Sequence, residues 1–457
     1  MPTVLSPTPV RNEAGVTSPY NHVRALWLVL VCILASRLIL LGFAQWLPGD
    51  DGLRYLQEAE NLVHYATFSH LPPPFPAPTT HDLPLFPLLL SAVLRFFPEP
   101  ASAMRAMGVF NAIFFTAAAG AVFGLARLLT KDNRLPVLAA ALFASFPESL
   151  PYSLFSMPES LFLMLFLWAV LLHAQFLRSG RAWEFLGSFV LLGASILSKP
   201  ATLFFAAVFL VWSLCFWPRR KEPVSRRVLW LACGLLVEAA TVSPWIIRNR
   251  IAFGSPTLTT ITGTNLFDFN YAMMLEDQHV PNPASVLTRQ IADYHGSNPV
   301  EEARIKGTVA KHEILTHPRA YLLTNLKRHP RLYAGTGALA LLRLLGDAPG
   351  VAALDTWQAH PSFSTAHLLP SPILFLQLAS WIFLGAVYLG AAFGALFLLH
   401  RRRWLWLALT VLPLAYFAAV IGPVVYTRYR LPMDPFLALL TAYCILTITR
   451  SNKNVLV

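Results

Sequence analysis

Apolar stretches close to the length of a bilayer crossing recur along this chain, and they restrict its fold more than any other feature. A helix needs about 20 apolar residues to cover about 30 Å of hydrocarbon. Roughly ten stretches approach that length. They are 25–47, 104–126, 135–152, 156–177, 183–198, 200–217, 228–247, 371–399, 404–424 and 432–449. With 56% hydrophobic and only 13% charged residues, the chain has too few charges to wet a globular surface of its size. Lipid must solvate much of it. The expected fold is an all-α polytopic membrane protein with roughly 10 transmembrane helices and further helices lying at the membrane surface. No internal repeat relates its two halves. Cys32, Cys215, Cys233 and Cys444 all fall inside apolar stretches and read as small packing residues, not as a disulfide or metal framework. The polar tail 1–24 leads into the first stretch without a small-residue cleavage site, so that stretch is expected to remain as a helix.

The net charge of +12 raises the question of nucleic acid. The basic residues gather in short connections, as in Arg219-Arg220-Lys221, Arg226-Arg227 and Arg401-Arg402-Arg403, which is how the cytoplasmic rim of a membrane protein looks. Membrane lipid is the expected partner, and nucleic acid is not. With Arg11 and Arg24 in the cytoplasm, Arg127, Lys131 and Arg134, then Arg178 and Arg181, the clusters above, and Arg450 with Lys453 all fall on that side. The short outer connections hold fewer: Lys199 at one turn, Arg428 and Arg430 at another.

Two outer segments are too long to be connectors. In the first, 48–103, residues 52–66 place Leu53, Leu56, Leu62, Val63 and Ala66 largely on one helical face, with Arg54, Glu58 and Glu60 elsewhere. That pattern suits an interfacial helix. The run from Pro84 to Phe97 would cover about 21 Å as a helix, which is short for a crossing, so it reads as a second interfacial or re-entrant helix. In the second segment, 248–370, Ile305, Val309 and Ile314 mark another interfacial helix. The apolar run 332–345 is short and interrupted by Arg343; a crossing there would invert everything after it. The chain thus divides into a cytoplasmic tail (1–24), a transmembrane module (25–247), an outer loop (248–370) and C-terminal transmembrane helices with a short tail (371–457).

Chemistry is expected on the outer side. Asp50 and Asp51 stand at the mouth of the first helix, Asp82 precedes Leu83-Pro84, and Glu159 opens an apolar helix after Ser156-Met157-Pro158. Ordinary helix caps would use the same residue types. In a chain with only 23 acidic residues, three acidic sites facing one compartment also suit a catalytic cleft, and the two readings stand side by side. Lys199, Arg248, Arg428 and Arg430 are expected on the same side, where guanidinium forks and a lysine suit phosphate; snorkelling at the interface is the alternative. Arg37 and Glu238 fall within expected crossings, where an unpaired charge is costly. They are expected to pair, unless Arg37 reaches a phosphate. His173 reads as a hydrogen-bonded packing residue, and no metal-ligand spacing surrounds it.

Several of these segments carry a resemblance. Asp51 followed four residues later by Tyr55 resembles the first outer-loop motif of the GT-C glycosyltransferase superfamily, and Asp82-Leu83-Pro84-Leu85-Phe86-Pro87 looks like the later part of that loop. Pro244-Trp245-Ile246-Ile247-Arg248-Asn249, then Phe253-Gly254 and Asn265-Leu266, resembles the bacterial protein-mannosyltransferase-like branch. Arg428-Tyr429-Arg430-Leu431-Pro432 is similar to its closing motif. The resemblance implies a cavity at the membrane boundary capped by outer-loop helices. It implies an inverting transfer of sugar from a polyprenyl-phosphate donor, with Asp51 as base; adjacent Asp50 leaves the choice open by one position. Asp82 and Glu159 take further acidic places, and Tyr55, Asn249 and Asn265 substrate-binding ones. The donor phosphate falls to Lys199, Arg248, Arg428 or Arg430.

The acceptor implied is a hydroxyl on a glycan, lipid or protein, and no cofactor is implied; a divalent-metal requirement stays open. With no large soluble domain after the last helix, a single sugar is expected to move, not an oligosaccharide. The implied location is a bacterial inner membrane, with the site facing the periplasm or exterior. A transporter or flippase for a lipid-linked substrate is the rival reading; transporters often show internal repeats, none is evident here, and the acidic groups cluster at one edge. A purely structural membrane scaffold, the third reading, leaves the acidic outer loops unexplained.

Overall fold

The computed structural model describes residues 19–130, 132–218, 222–359 and 369–453. Arg11, Lys131 and Arg219-Arg220-Lys221 lie outside it, as do the side chains of Arg450 and Lys453. The described residues are helical wherever they are regular. Six helices are long and apolar enough to cross a membrane: Val23–Phe43 within α1 (Pro19–Phe43), Pro100–Leu129, Glu159–Ser179, Val224–Phe253, Ser371–His400 and Trp404–Ile421. The stretches expected at 135–152, 183–198, 200–217 and 432–449 form shorter apolar helices. The chain is a multi-pass membrane protein.

Between α1 and the next long helix lie α2 (Gly52–Tyr65) and α3 (Leu85–Phe96), close to the two interfacial helices expected from the sequence. Proline sets the local boundaries. Pro84 precedes the first turn of α3, and α4 (Pro100–Leu129) begins on Pro100, a first-turn position that needs no amide hydrogen. On α2 the buried apolar stripe is Tyr55, Leu56 and Ala59, packed against Phe86, Leu90 and Leu94 of α3. The expected face was misplaced. Leu53 is exposed, whereas Glu58 is completely buried because α2 is covered on a second side by the loop 66–82.

After α4 come α5 (Arg134–Ala144), the single-turn α6 (Ser149–Tyr152), α7 (Glu159–Ser179), α8 (Ala182–Ser198), α9 (Ala206–Phe216) and α10 (Val224–Phe253). Helices α4, α7 and α8 form the centre of the bundle, with α1 and α5 on α4 and with α10 on α8. Small residues permit the close crossings: a Cβ on Gly124 would stand 2.7 Å from a Leu171 methyl, and one on Gly193 2.8 Å from Thr241. The interior is filled by aromatic rings, with Phe166 within 4.8 Å of Phe205 and 5.3 Å of Phe417. His173 is buried there, bonded to the Ser188 and Ser213 hydroxyls and stacked on Phe209 at 4.1 Å. Arg37 does not pair with Glu238. Its guanidinium donates to the Ala144 carbonyl (2.5 Å) and the Ser149 hydroxyl (3.2 Å), which lie where the helix expected at 135–152 breaks and leaves carbonyls free.

The second long segment, 248–370, contains a string of short helices. These are α11 (Ile261–Asn265), α12 (Ala272–Asp277), α13 (Pro283–Gln290), α14 (Pro299–Thr316), α15 (Pro318–Arg328), α16 (Pro330–Ala334), α17 (Ala338–Leu344) and α18 (Ala348–Ala359). The run 332–345 is divided between α16 and α17, each about 7–11 Å long and far short of a crossing. Then α19 (Ser371–His400) runs unbroken, followed by α20 (Trp404–Ile421) and α21 (Asp434–Lys453), with α21 packed on α19 and α5.

Candidate active site

The site forms where the end of α1 turns into α2. Gly49 has φ +67°, and a Cβ there would lie 2.5 Å from the Met157 sulfur; a Cβ on Gly52 would lie 3.0 Å from the Ser156 carbonyl. Ser156 donates its amide to the Leu47 carbonyl at 2.7 Å. Two glycines therefore let the Asp50-Asp51 turn pack flat against the chain at 155–157 that leads into α7.

Asp51 occupies the N-cap of α2, yet its side chain caps nothing. It accepts from Arg428 Nη1 at 2.7 Å and from Arg54 Nη1 at 3.1 Å. Arg54 also forms a fork on Asp82, at 2.5 Å and 3.0 Å. Asp50 accepts from Tyr152 Oη at 2.7 Å and Arg343 Nη1 at 3.0 Å, with Arg428 at 3.5 Å. Glu159 accepts from Lys199 Nζ at 2.7 Å. Lys199 stands just before Pro200 in extended backbone, φ −148°, because a residue before proline is driven out of the helical region. The end of α8 therefore falls at Lys199 and leaves its amine facing α7.

Burial pushes the Asp51 carboxyl up, but Arg428, Arg54 and Lys199 more than offset this and hold it below the usual carboxylate range. Burial works against the charge of Arg428, and Glu159 and Asp51 raise its pKa in spite of that. Accessibility separates the four acids. The side chains of Asp51 and Asp50 are 24% and 31% exposed, whereas Glu159 and Asp82 are 3% and 1%. Only the first two can meet an acceptor without rearrangement. Arg428 retains a buried Nε with no hydrogen-bond partner.

The other singled-out residues lie apart from these contacts. Arg430 is fully buried. It bonds Asp434 at 3.1 Å and gives Nη1 to the carbonyls of Leu332, Tyr333 and Gly335, which α16 leaves free at its C-terminal end. Arg248 donates to the carbonyls of Thr79 (2.8 Å) and Phe68 (3.2 Å) and lies over the Trp245 ring. Asn249 donates to the Thr257 carbonyl at 2.8 Å, and Trp245 to that of Leu258 at 2.8 Å. The Trp245–Asn249 segment thus fastens the end of α10 to the loop that carries Asp82. Tyr55 is buried edge-on to Phe86 at 5.4 Å, and Asn265 accepts from Asn270 through its carbonyl. Three site residues were not singled out as such from the sequence: Arg54, Tyr152 and Arg343. Arg54 had a signal, since Asp51, Arg54 and Glu58 share one face at helical spacing.

The sequence profile of the dolichyl-phosphate-mannose-protein mannosyltransferase family matches residues 78–247. No curated protein matches the chain significantly in sequence. Among solved structures, the apo oligosaccharyltransferase of Archaeoglobus fulgidus superposes with a TM-score of 0.53 at 15% identity, over 96% of this chain and 52% of that one. The same organism's AglB, in complex with an inhibitory peptide and a dolichol-phosphate, gives 0.51 at 15% identity over 95% and 52%. ArnT from Cupriavidus metallidurans, bound to undecaprenyl phosphate, superposes more loosely, with a TM-score of 0.42 at 14% identity over 94% and 78%. The chain spans about half the length of the archaeal enzyme. It has the GT-C fold of that oligosaccharyltransferase, and over residues 78–247 it carries the sequence pattern of the dolichyl-phosphate-mannose-protein mannosyltransferase family.

Proposed function

We propose that this protein is an inverting glycosyltransferase that moves one sugar from a polyprenyl-phosphate donor to a hydroxyl acceptor on the outer side of the membrane. The observation that carries the reading is the contact of a solvent-accessible carboxylate, Asp51, with Arg428 and Arg54 beside the Lys199–Glu159 pair. An acid poised among cations is what a phosphate leaving group and a hydroxyl nucleophile require together. The family pattern names a dolichyl-phosphate sugar, and AglB is seen with dolichol-phosphate, which supports a donor of the same chemistry.

In the proposed reaction the acceptor oxygen attacks the anomeric carbon from the face opposite the phosphate. The bond from that carbon to the phosphate oxygen breaks, and its electron pair leaves on the prenyl phosphate. Asp51 takes the acceptor proton, a contribution of about 10²–10⁴-fold. A single displacement inverts the anomeric centre. Arg428, through its unpartnered Nε, and Lys199 meet the charge growing on the phosphate. Asp51 also gains from donor binding. When Arg428 turns toward phosphate, its hold on the carboxylate weakens and Asp51 becomes a stronger base at the moment it is needed.

Arg430 and Arg248, with Asn249, act as positioning residues in this reading: one anchors the chain that carries Arg428, the other the loop that carries Asp82. The test is to incubate purified protein with polyprenyl-phosphate sugars and hydroxyl acceptors, and to follow prenyl-phosphate release with NMR of the new anomeric bond. Release with an inverted linkage supports the proposal. Donor movement across a vesicle bilayer without release would assign the protein to transport instead.

A further inference from the structure

Glu58 is wholly buried on α2, and neither of its carboxylate oxygens meets a hydrogen-bond donor. Its polar neighbours are Asp82, a second carboxylate, and His70, whose Nδ1 lies 3.9 Å from Glu58 Oε1 and is also without a hydrogen bond. One donor atom from each of these three residues lies within 4.8 Å of the others. Arg54 cannot balance the group, because its fork is spent on Asp82 and its remaining amine reaches Asp51. An unpaired buried carboxylate costs several kcal/mol unless a proton or a cation joins it.

We propose that Glu58, His70 and Asp82 form a binding site for a first-row divalent metal ion, zinc by preference. The donor set of one imidazole nitrogen and two carboxylate oxygens suits zinc at bond lengths of about 2.0–2.2 Å. Closing around the ion draws the three atoms in by no more than about 1–2 Å. Arg54 need not leave. It occupies one lone pair on each Asp82 oxygen, and a carboxylate offers about four sites in all. The His81 ring lies 5.7 Å from that of His70 and supplies a second-sphere or fourth ligand. The His70 side chain is 29% exposed, which gives the ion a way in.

The site joins the middle of α2 to both ends of the proline-rich loop 71–76, and Asp82 in turn holds Arg54 on Asp51. The metal is thus a positioning element for the loop, independent of whether a sugar is transferred.

The test uses full-length protein in detergent, stripped with a chelator and titrated separately with Zn²⁺, Mn²⁺ and Mg²⁺. Bound metal per chain and thermal midpoint are read. The expected result is one Zn²⁺ per chain, at least tenfold tighter than Mn²⁺, with a raised midpoint. Both effects should be lost in Glu58→Gln, whose amide keeps the shape of the acid, and in His70→Ala at its half-exposed position. Wild-type protein that takes up no stoichiometric zinc overturns the proposal, as does zinc retained by both variants. A Glu58→Gln protein more stable than a wild type that binds no metal would also overturn it, and would assign the cluster to a proton shared by Glu58 and Asp82.

Discussion

Replacing Arg428 by glutamine separates two things that one guanidinium does. Arg428 holds Asp51 at 2.7 Å, and it leads the cations that bring this carboxyl below its usual range against the effect of burial. A charge-assisted hydrogen bond contributes about 1.5–3 kcal/mol, and one pH unit corresponds to about 1.4 kcal/mol. Without Arg428 the Asp51 pKa therefore rises, because burial is then less opposed. The base is then protonated at a pH where it was previously ionised, so the acid limb of kcat/KM moves to higher pH. On the alkaline plateau the loss of phosphate stabilisation remains and lowers kcat/KM by about 10²–10³-fold. The assay is prenyl-phosphate release in nanodiscs from pH 4 to 9 (about the range over which a carboxylate base reports), for wild type, Arg428→Gln and Arg428→Lys. A lysine, keeping the charge without the fork, should give a smaller shift. An acid limb that stays in place in Arg428→Gln would refute the coupling between Arg428 and Asp51.

Three further outcomes are expected. Arg430→Ala leaves Asp434 buried without its partner and takes the Arg430 donor from the carbonyls of Leu332 and Gly335, while Tyr333 keeps the Tyr388 hydroxyl, so stability should fall by about 3–5 kcal/mol, read by denaturation in detergent. Donor affinity of the folded fraction should stay within a few-fold of wild type; complete loss would return Arg430 to the phosphate. Arg248→Ala should loosen the loop 68–82, giving faster amide exchange there and slower turnover with little change elsewhere in α10. Gly49→Ala must adopt φ +67° and displace Met157, at a cost of about 1–3 kcal/mol, and should reduce kcat more than it reduces donor binding.

Membrane class and the two helices α2 and α3 were legible because they follow from length, apolar content and proline position, which are local properties. Asp51 drew attention for a related reason: an acidic pair at the mouth of an apolar helix is rare in a chain so poor in charge. The burial of Glu58 was not legible. Helical periodicity assigns one buried face to α2, and the loop 66–82 covers a second one through contacts distant in sequence. Arg430 and Arg248 illustrate the same limit. A guanidinium beside a membrane boundary can meet phosphate or free carbonyls, and only tertiary structure reveals that α16 and the loop at Phe68 and Thr79 offer carbonyls. Crossings at 135–152 and 332–345 were indistinct because short breaks within apolar runs are invisible to hydropathy; in the first, Arg37 turns the break into a hydrogen-bonded junction.

Single-turnover chemistry of Asp51→Asn with a defined polyprenyl-phosphate sugar bears most directly on the assigned base. The amide keeps an acceptor for Arg428 and cannot take up the proton of the acceptor hydroxyl. Transfer should slow by about 10²–10⁴-fold while the donor still binds and the fold is retained. Transfer at close to the wild-type rate would contradict the assignment of Asp51 as the base.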